Sequence, residues 1–226
     1  MRKLIAFLIL LLVFVVILDR VAVAGVQREI ATRATAKYDL DAPPEVTIEG
    51  IPFLTQAING RYEEVKVDVG PMTVGGVRLS SVDFTLYDLV APLEDLVLDP
   101  QRLDMRAGRV TGAVVVPVET LNQRAPQGIK VDVDGGGLNV SGEITVLGQK
   151  VPVKATMKVE IVRDGVQFVP EKVTLGGGIP VPQPERFIAY RIPIKGLPFD
   201  LKVTDVRPVA GGIRISGEAA DVPLRG

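Results

Sequence analysis

The feature that most constrains this chain is an unbroken run of fifteen apolar residues, Leu4–Leu18, which directly follows Arg2 and Lys3. Basic residues before an apolar segment favour an orientation with the N-terminus in the cytoplasm, because positive flanks resist translocation. We therefore expect the chain after Asp19 to lie on the outer side of a cytoplasmic membrane. The sequence indicates where the protein works more clearly than what it does there.

Two interpretations of residues 1–24 remain open. Ala22-Val23-Ala24 fits the small-x-small pattern of a signal-peptide cleavage site. A retained anchor needs roughly 20 apolar residues, and the helix reaches that length if Arg20 extends to the headgroups. No Pro or Gly separates the apolar run from the cleavage pattern, which slightly favours the anchor. The chain has no cysteine, so a lipid-modified cysteine is excluded as the attachment.

The absence of histidine and cysteine narrows the chemistry available to the chain. It excludes a Ser-His-Asp triad, a Cys-His pair and any metal site that contains histidine. The carboxylate pairs Glu63-Glu64, Glu94-Asp95 and Asp132/Asp134 occur, but nothing places them in a cleft of the kind that glycosidases need. We therefore predict a protein that is not an enzyme, with no cofactor and no metal. A net charge of −1 gives no electrostatic case for nucleic acid.

Alternating apolar and polar residues dominate the chain after residue 24, and we expect residues 25–226 to form one domain, with sub-halves at about 25–126 and 127–226. Strands with one apolar and one polar face are typical of antiparallel sheets. The clearest apolar faces are Val65, Val67 and Val69; Val82, Phe84 and Leu86; and Val151, Val153, Ala155, Met157, Val159 and Ile161.

Helical patterns are fewer and shorter. The spacing of Val23, Val26, Ile30 and Ala34 predicts a helix over residues 21–38, which either covers lipid or, as the pattern favours, packs a narrow face on the sheet. Short helices are predicted after Pro52, over residues 117–124 and over residues 184–191. The fold class is therefore α+β and mostly β, with a long curved antiparallel sheet wrapped around helix.

Two segments of the chain are similar in sequence, residues 136–143 (GGLNVSGE) and residues 211–218 (GGIRISGE). Each follows an alternating segment. A shared hairpin type, with Gly142 or Gly217 at a bulge, is the favoured interpretation, and a duplicated meander is the alternative.

Amphipathic strands of this length carry more apolar surface than a solid core requires. A cavity lined in this way suits an acyl chain and needs no catalytic residue. A filled core is equally compatible with the periodicity, and it would leave a non-catalytic scaffold that presents its polar face to envelope enzymes or cell-wall polymer.

The chain resembles the actinobacterial LmeA-like phospholipid-binding family. The resemblance is carried by Leu18–Ala22, residues 50–56 (GIPFLTQ), residues 60–65 (GRYEEV), residues 82–90 and residues 112–117 (GAVVVP). Ile51 stands where an aromatic residue is frequent in that family. The resemblance implies an envelope protein that binds phospholipid, supports the biogenesis of lipomannan-type glycolipids, and has an elongated fold like that of the tubular lipid-binding proteins.

From these observations we predict an envelope-facing lipid-binding or lipid-transfer protein, either anchored or secreted into the periplasmic space. The expected partners are phospholipid, the membrane and, as candidates, envelope glycosyltransferases. The residues expected to line the apolar site are Phe53, Leu54, Ile58, Phe84, Leu86, Leu121 and Phe187.

Overall fold

The computed structural model describes residues 1–74, 76–91, 104–125, 128–134, 137–146, 149–162, 165–176, 178–180, 190–193 and 201–225. The helices in these ranges are α1 (Arg2–Tyr38), α2 (Phe53–Asn59) and α3 (Val118–Arg124). The strands are β1 (Glu45–Glu49), β2 (Arg61–Asp68), β3 (Met72–Val74), β4 (Val77–Leu79), β5 (Ser81–Val90), β6 (Asp104–Pro117), β7 (Ile129–Asp134), β8 (Gly137–Val146), β9 (Gln149–Val162), β10 (Gly165–Leu175), β11 (Ile179–Pro180), β12 (Tyr190–Pro193), β13 (Lys202–Val209) and β14 (Gly212–Arg225).

The predicted α+β, mostly β class is confirmed, and every strand pairing resolved by register is antiparallel. The chain forms two compact units. Unit 1 contains Met1–Gly70, Asp83–Thr111 and Ala219–Gly226, and unit 2 contains Pro71–Val82 and Gly112–Glu218. The predicted division at residues 24 and 126 stays a prediction.

In unit 1, one sheet has the strand order β1-β2-β5-β6-β14. Apolar side chains pair across its first three strands in two rows, Val46–Val67–Phe84 and Ile48–Val65–Leu86. On the opposite face, Lys66 Nζ lies 2.9 Å from Glu49 Oε1 and 3.4 Å from Glu64 Oε1. These hydrogen bonds, first to Glu49 and then to Glu64, raise the pKa of Lys66. The predicted alternation therefore produces one apolar and one charged face, because successive side chains of a strand point to opposite sides.

The apolar run and the predicted helix over residues 21–38 are one continuous helix of 37 residues, α1. The helix contacts β1 and α2, with Val23 buried. Val26 and Ile30, which were expected on the packed face, are 38% and 37% exposed. The packed face instead continues through the partly buried Gln27, Ala31, Ala34 and Thr35, so the expectation is met at Val23 and Ala34 and not at Val26 and Ile30. The helix ends at Asp39, which adopts left-handed geometry (φ 50°).

The helix predicted after Pro52 is confirmed as α2, with Pro52 as its N-cap residue after a cis Ile51–Pro52 bond. Gly60 ends it at φ 63°, and its N–H donates to the Ala57 carbonyl at 3.2 Å. A left-handed φ favours glycine, because a Cβ is crowded there. Gly60 therefore lets the chain turn directly from α2 into β2.

In unit 2, the strands β11-β10-β9-β8-β7 form a second sheet, and β12 also pairs with β10. Apolar side chains pair across it in four rows: Ile129–Gly142–Val153–Leu175, Val131–Val140–Ala155–Val173, Val133–Leu138–Met157–Pro170 and Val159–Phe168. We call this side of β7–β10 the apolar sheet face. The opposite side carries the rows Lys130–Ser141–Lys154–Thr174 and Asp132–Asn139–Thr156–Lys172.

The hairpin β13–β14 and helix α3 provide the other side of the unit 2 core. Ile213 is 2% exposed and packs with Leu138, Val153, Met157 and their neighbours in one cluster. Val206 and Ile215 pack against the same cluster. The core of this unit therefore lies between the apolar sheet face and the β13–β14 hairpin.

The two similar segments, residues 136–143 and 211–218, lie in hairpins of the same kind, β7–β8 and β13–β14. Leu138 and Ile213 occupy equivalent buried positions in them. Of the two positions expected for a bulge, Gly142 is wrong, since the β7–β8 register is continuous, whereas a register shift does occur opposite Gly217. In the second hairpin the register shifts in β13, between Val203 and Asp205. A Cβ on Gly142 would collide with the Gly128 carbonyl oxygen, and one on Gly217 would lie 2.9 Å from the Lys202 carbonyl oxygen. The shared glycine thus permits close strand approach.

The predicted helix over residues 184–191 is wrong at its end, because Tyr190 lies in β12 and pairs with Phe168 of β10. Residues 184–189 lie outside the described residues.

Candidate functional site

Several side chains of the apolar sheet face of unit 2 are covered only in part by the core that packs on it. Among the described residues of this cluster, six are buried and nine more are only partly buried. The partly buried residues are Leu121, Val131, Val133, Val140, Val159, Phe168, Leu175, Val206 and Ile215. Apolar side chains that keep part of their surface in water gain free energy when a second apolar group covers them. This face can therefore accept an apolar ligand without any reacting group.

Helix α3 is fixed along the edge of this face by polar contacts. Asn122 donates from Nδ2 to the Val131 carbonyl at 2.9 Å, and its Oδ1 accepts from the Val131 N–H at 2.7 Å. Thr120, 4% exposed, donates to the Arg78 carbonyl at 3.0 Å. The Asn122 side chain satisfies both backbone groups of an edge-strand residue, which otherwise would face solvent. Leu121, between these two anchors, is held against the apolar cluster.

Unit 1 has an apolar cluster of its own around α2. Phe53 is 3% exposed, and its ring centroid lies 6.2 Å from that of Tyr62, with the rings tilted by 34°. Tyr62 is buried as well, and this burial raises the pKa of its phenol above the ordinary value of 10.0. Leu54 is partly buried, and so is Phe84, whereas Leu86 is buried. The cluster is well packed at Phe53 and more open at Leu54 and Phe84.

The polar residue that ends the apolar run ties α1 to α2. Asp19 is 3% exposed, and its Oδ1 accepts a hydrogen bond from the Leu54 N–H at 2.8 Å. Its Oδ2 accepts from Arg20, whose Nε lies 3.1 Å away. We call this set of Asp19, Arg20 and Leu54 the α1–α2 junction. The carboxylate satisfies a first-turn N–H that has no acceptor within its own helix, so α2 is held at the level where the apolar run stops.

A second polar side chain, Gln56, connects α2 to the sheet of unit 1. Its Nε2 donates to the Glu49 carbonyl, and its Oε1 accepts from the Glu63 N–H, both at 2.9 Å. Gly50, at φ 96°, makes room for this amide, since a Cβ there would lie 2.5 Å from Nε2. The short helix is thereby fixed at the end of β1 and the start of β2.

The residues expected to line the apolar site fall in different parts of the structure. Phe53, Leu54, Ile58, Phe84 and Leu86 belong to unit 1, whereas Leu121 belongs to unit 2. Phe84 and Leu86 share the apolar face of the unit 1 sheet. Ile58 points into solvent and is 79% exposed. Phe187 lies outside the described residues. Their role as ligand contacts stays a prediction.

Four structurally important residues escaped the sequence analysis: Asp19, Gln56, Asn122 and Phe168. Phe168 could have been found, since the Arg-Asp-Gly sequence at 163–165 is typical of a hairpin turn, and such a hairpin pairs Phe168 with Val159, as observed. Asp19 carried a signal too, as the charge that ends an apolar run abruptly. The hydrogen bonds of Gln56 and Asn122 depend on where short helices dock, and no local pattern encodes that position.

One helix among the described residues, α1, is long and apolar enough to cross a membrane, with a mean hydropathy of 2.9 over its most apolar window. The side chains of Leu4–Leu18 are exposed throughout. A signal sequence near the N-terminus also meets these criteria of length and composition.

Comparison with known proteins gives one match. The family model described as LmeA-like phospholipid-binding matches residues 17–218, most of the chain. No curated protein matches, and no solved structure matches.

Proposed function

Since the match covers most of its length, this chain belongs to the LmeA-like phospholipid-binding family, and we propose that it is an envelope-facing lipid-binding or lipid-transfer protein. Its ligand is a phospholipid, whose acyl part lies along the apolar sheet face of unit 2. The observation that carries this proposal is the set of nine partly buried apolar side chains around six buried ones.

The energetics fit a reversible carrier. Each buried methylene contributes about 0.8 kcal/mol, so a dozen contribute on the order of 10 kcal/mol. Association costs about 4–15 kcal/mol in lost freedom. At the lower end of that cost the gain exceeds it by about 6 kcal/mol, which is a moderate affinity that still allows release of the lipid to the membrane.

In this proposal α1 attaches the protein to the cytoplasmic membrane, with the chain after Asp19 on the outer side. The bound lipid serves the biogenesis of mannose-bearing envelope glycolipids, and envelope glycosyltransferases are the candidate protein partners. Leu54 and Phe84, which are partly buried, are proposed as a separate apolar contact surface in unit 1, with Phe53 and Leu86 buried in the core of the same unit, and Leu121 is proposed as part of the unit 2 surface. The protein acts by binding and not by catalysis.

The test compares two neighbouring substitutions on opposite sides of β10. Phe168 lies on the apolar sheet face and is partly buried, whereas Gln167 pairs with Glu160 on the other face. We expect Phe168→Ser to lower the amount of phospholipid taken up from vesicles by at least about threefold, because it removes roughly 1 kcal/mol or more of apolar contact. Gln167→Ser should leave uptake unchanged.

The measurement is phospholipid per protein after incubation with vesicles, using residues 19–226, which retain Asp19. Substitution at Phe53 is less informative, since that side chain is 3% exposed and its loss affects folding. Equal phospholipid uptake by the wild type and both folded variants would contradict the proposed location of the acyl chain on the apolar sheet face. A folded wild-type chain that takes up no lipid would instead favour a non-catalytic scaffold.

A further inference from the structure

The two most exposed large apolar side chains among the described residues after α1 are Ile51 and Ile58, each 79% exposed. Ile51 lies just before α2 and Ile58 lies in its last turn, and between them in the chain is Leu54, whose N–H donates to Asp19. Scattered exposed isoleucines need no explanation. Here, however, both belong to the segment that the α1–α2 junction fixes beside the end of the apolar run.

The length of the apolar run Leu4–Leu18 indicates how deep the segment around α2 lies in the bilayer. Fifteen helical residues span about 22 Å at 1.5 Å per residue, whereas a bilayer has a hydrocarbon core of roughly 30 Å. The run alone is therefore about 8 Å shorter than the core, so an α1 that crosses the bilayer places the level of Asp19 below the outer edge of the core, with Arg20 extending to the headgroups. A segment with exposed apolar side chains buries them about 5–10 Å into the headgroup and acyl boundary, which is close to this shortfall.

The geometry points to α2 as a second membrane contact: Ile51 and Ile58 insert into the outer interface of the bilayer that α1 crosses. The Asp19 carboxylate sets the depth, because it holds the Leu54 N–H at the level where the apolar run ends. This inference rests on the proposed function for the attachment by α1. It adds that unit 1 is seated on the lipid surface and is not suspended above it on a free helix.

The absence of cysteine allows a direct depth measurement with single introduced thiols. The full chain would be placed in vesicles of phosphatidylethanolamine and phosphatidylglycerol, with a nitroxide label on Ile58→Cys. Two reference positions of similar exposure lie on α1: Leu10→Cys within the run and Tyr38→Cys beyond it (exposures 70% and 64%). Tyr38 is 19 residues past Asp19, about 28 Å further along the helix.

We expect collisions with a water-soluble nickel chelate to be at least about fivefold rarer at residue 58 than at residue 38, because the interface excludes the chelate. A label at residue 58 as accessible as the one at residue 38, with residue 10 protected, would overturn the membrane contact and leave the α1 anchor intact. Accessibility at residue 10 would contradict the anchor itself, and the seating of α2 with it.

Discussion

Single polar side chains decide where the short elements of this protein dock. Asp19, Gln56 and Asn122 each bind backbone groups of a separate element. Backbone N–H and C=O groups must be satisfied when they are shielded from water. These three residues do so at the ends or edges where the regular hydrogen-bonding pattern stops. Residues of this kind carry no periodic signal, whereas their apolar neighbours Phe53, Leu54 and Leu121 do and are predictable from the sequence.

At the residue scale, the account predicts that Asp19→Ala loosens α2. The substitution removes the acceptor of the Leu54 N–H, which then has no partner in its own helix. Hydrogen–deuterium exchange in residues 53–59 should accelerate by about tenfold in residues 19–226 carrying the change.

Asp19→Asn is the matched control for this experiment, since its side-chain oxygen still accepts from the Leu54 N–H. Exchange in residues 53–59 should stay close to that of the wild type. Identical exchange in all three proteins would mean that the carboxylate does not hold α2.

At the element scale, alternation predicted the strands well because each face meets a different environment. The longest predicted face, Val151–Ile161, lies on β9, and its middle residues Val153, Ala155 and Met157 are buried. Strand order could not be derived in the same way, since pairing depends on loops and long-range contacts. The retained-anchor interpretation allows the helix to continue past Arg20, and α1 is continuous through that point. The docking of Asp19 on α2 carries no such signal in the sequence.

Helix α3 provides the prediction that belongs to this scale. Asn122→Ala should lower the free energy of unfolding by about 1–3 kcal/mol, because the edge strand β7 loses its partners for both backbone groups of Val131. Urea unfolding of residues 19–226 measures the change.

Gln123→Ala is the control, since Gln123 is the next residue of the same helix and is exposed. Both substitutions remove an amide side chain, and the two side chains that are removed differ in length by one methylene. An equal loss of stability in both variants would mean that the Asn122 hydrogen bonds contribute nothing beyond helix propensity.

At the scale of the whole molecule, the compact units are assembled from segments that are distant in sequence. Residues 83–111 and 219–226 join the N-terminal residues in unit 1, and β5, β6 and β14 contribute residues to both units. No reading of composition along the chain can identify such discontinuous units. The fold class was nevertheless predictable, because it depends on the number of amphipathic strands and not on their order. The tubular arrangement implied by the family resemblance stays a prediction.

The central claim is that this chain carries phospholipid on an apolar surface that is not fully closed by its own side chains. Mass spectrometry of residues 19–226, purified from the expressing cells without detergent and measured first native and then after solvent extraction, tests it most directly. A chain starting at Gln27 would lack Asp19 and Val23, which both pack in unit 1. We predict a native mass increased by about one phospholipid, and a diacyl glycerophospholipid in the extract. A folded protein with the mass of the polypeptide alone, which also takes up no lipid from vesicles, would contradict the claim.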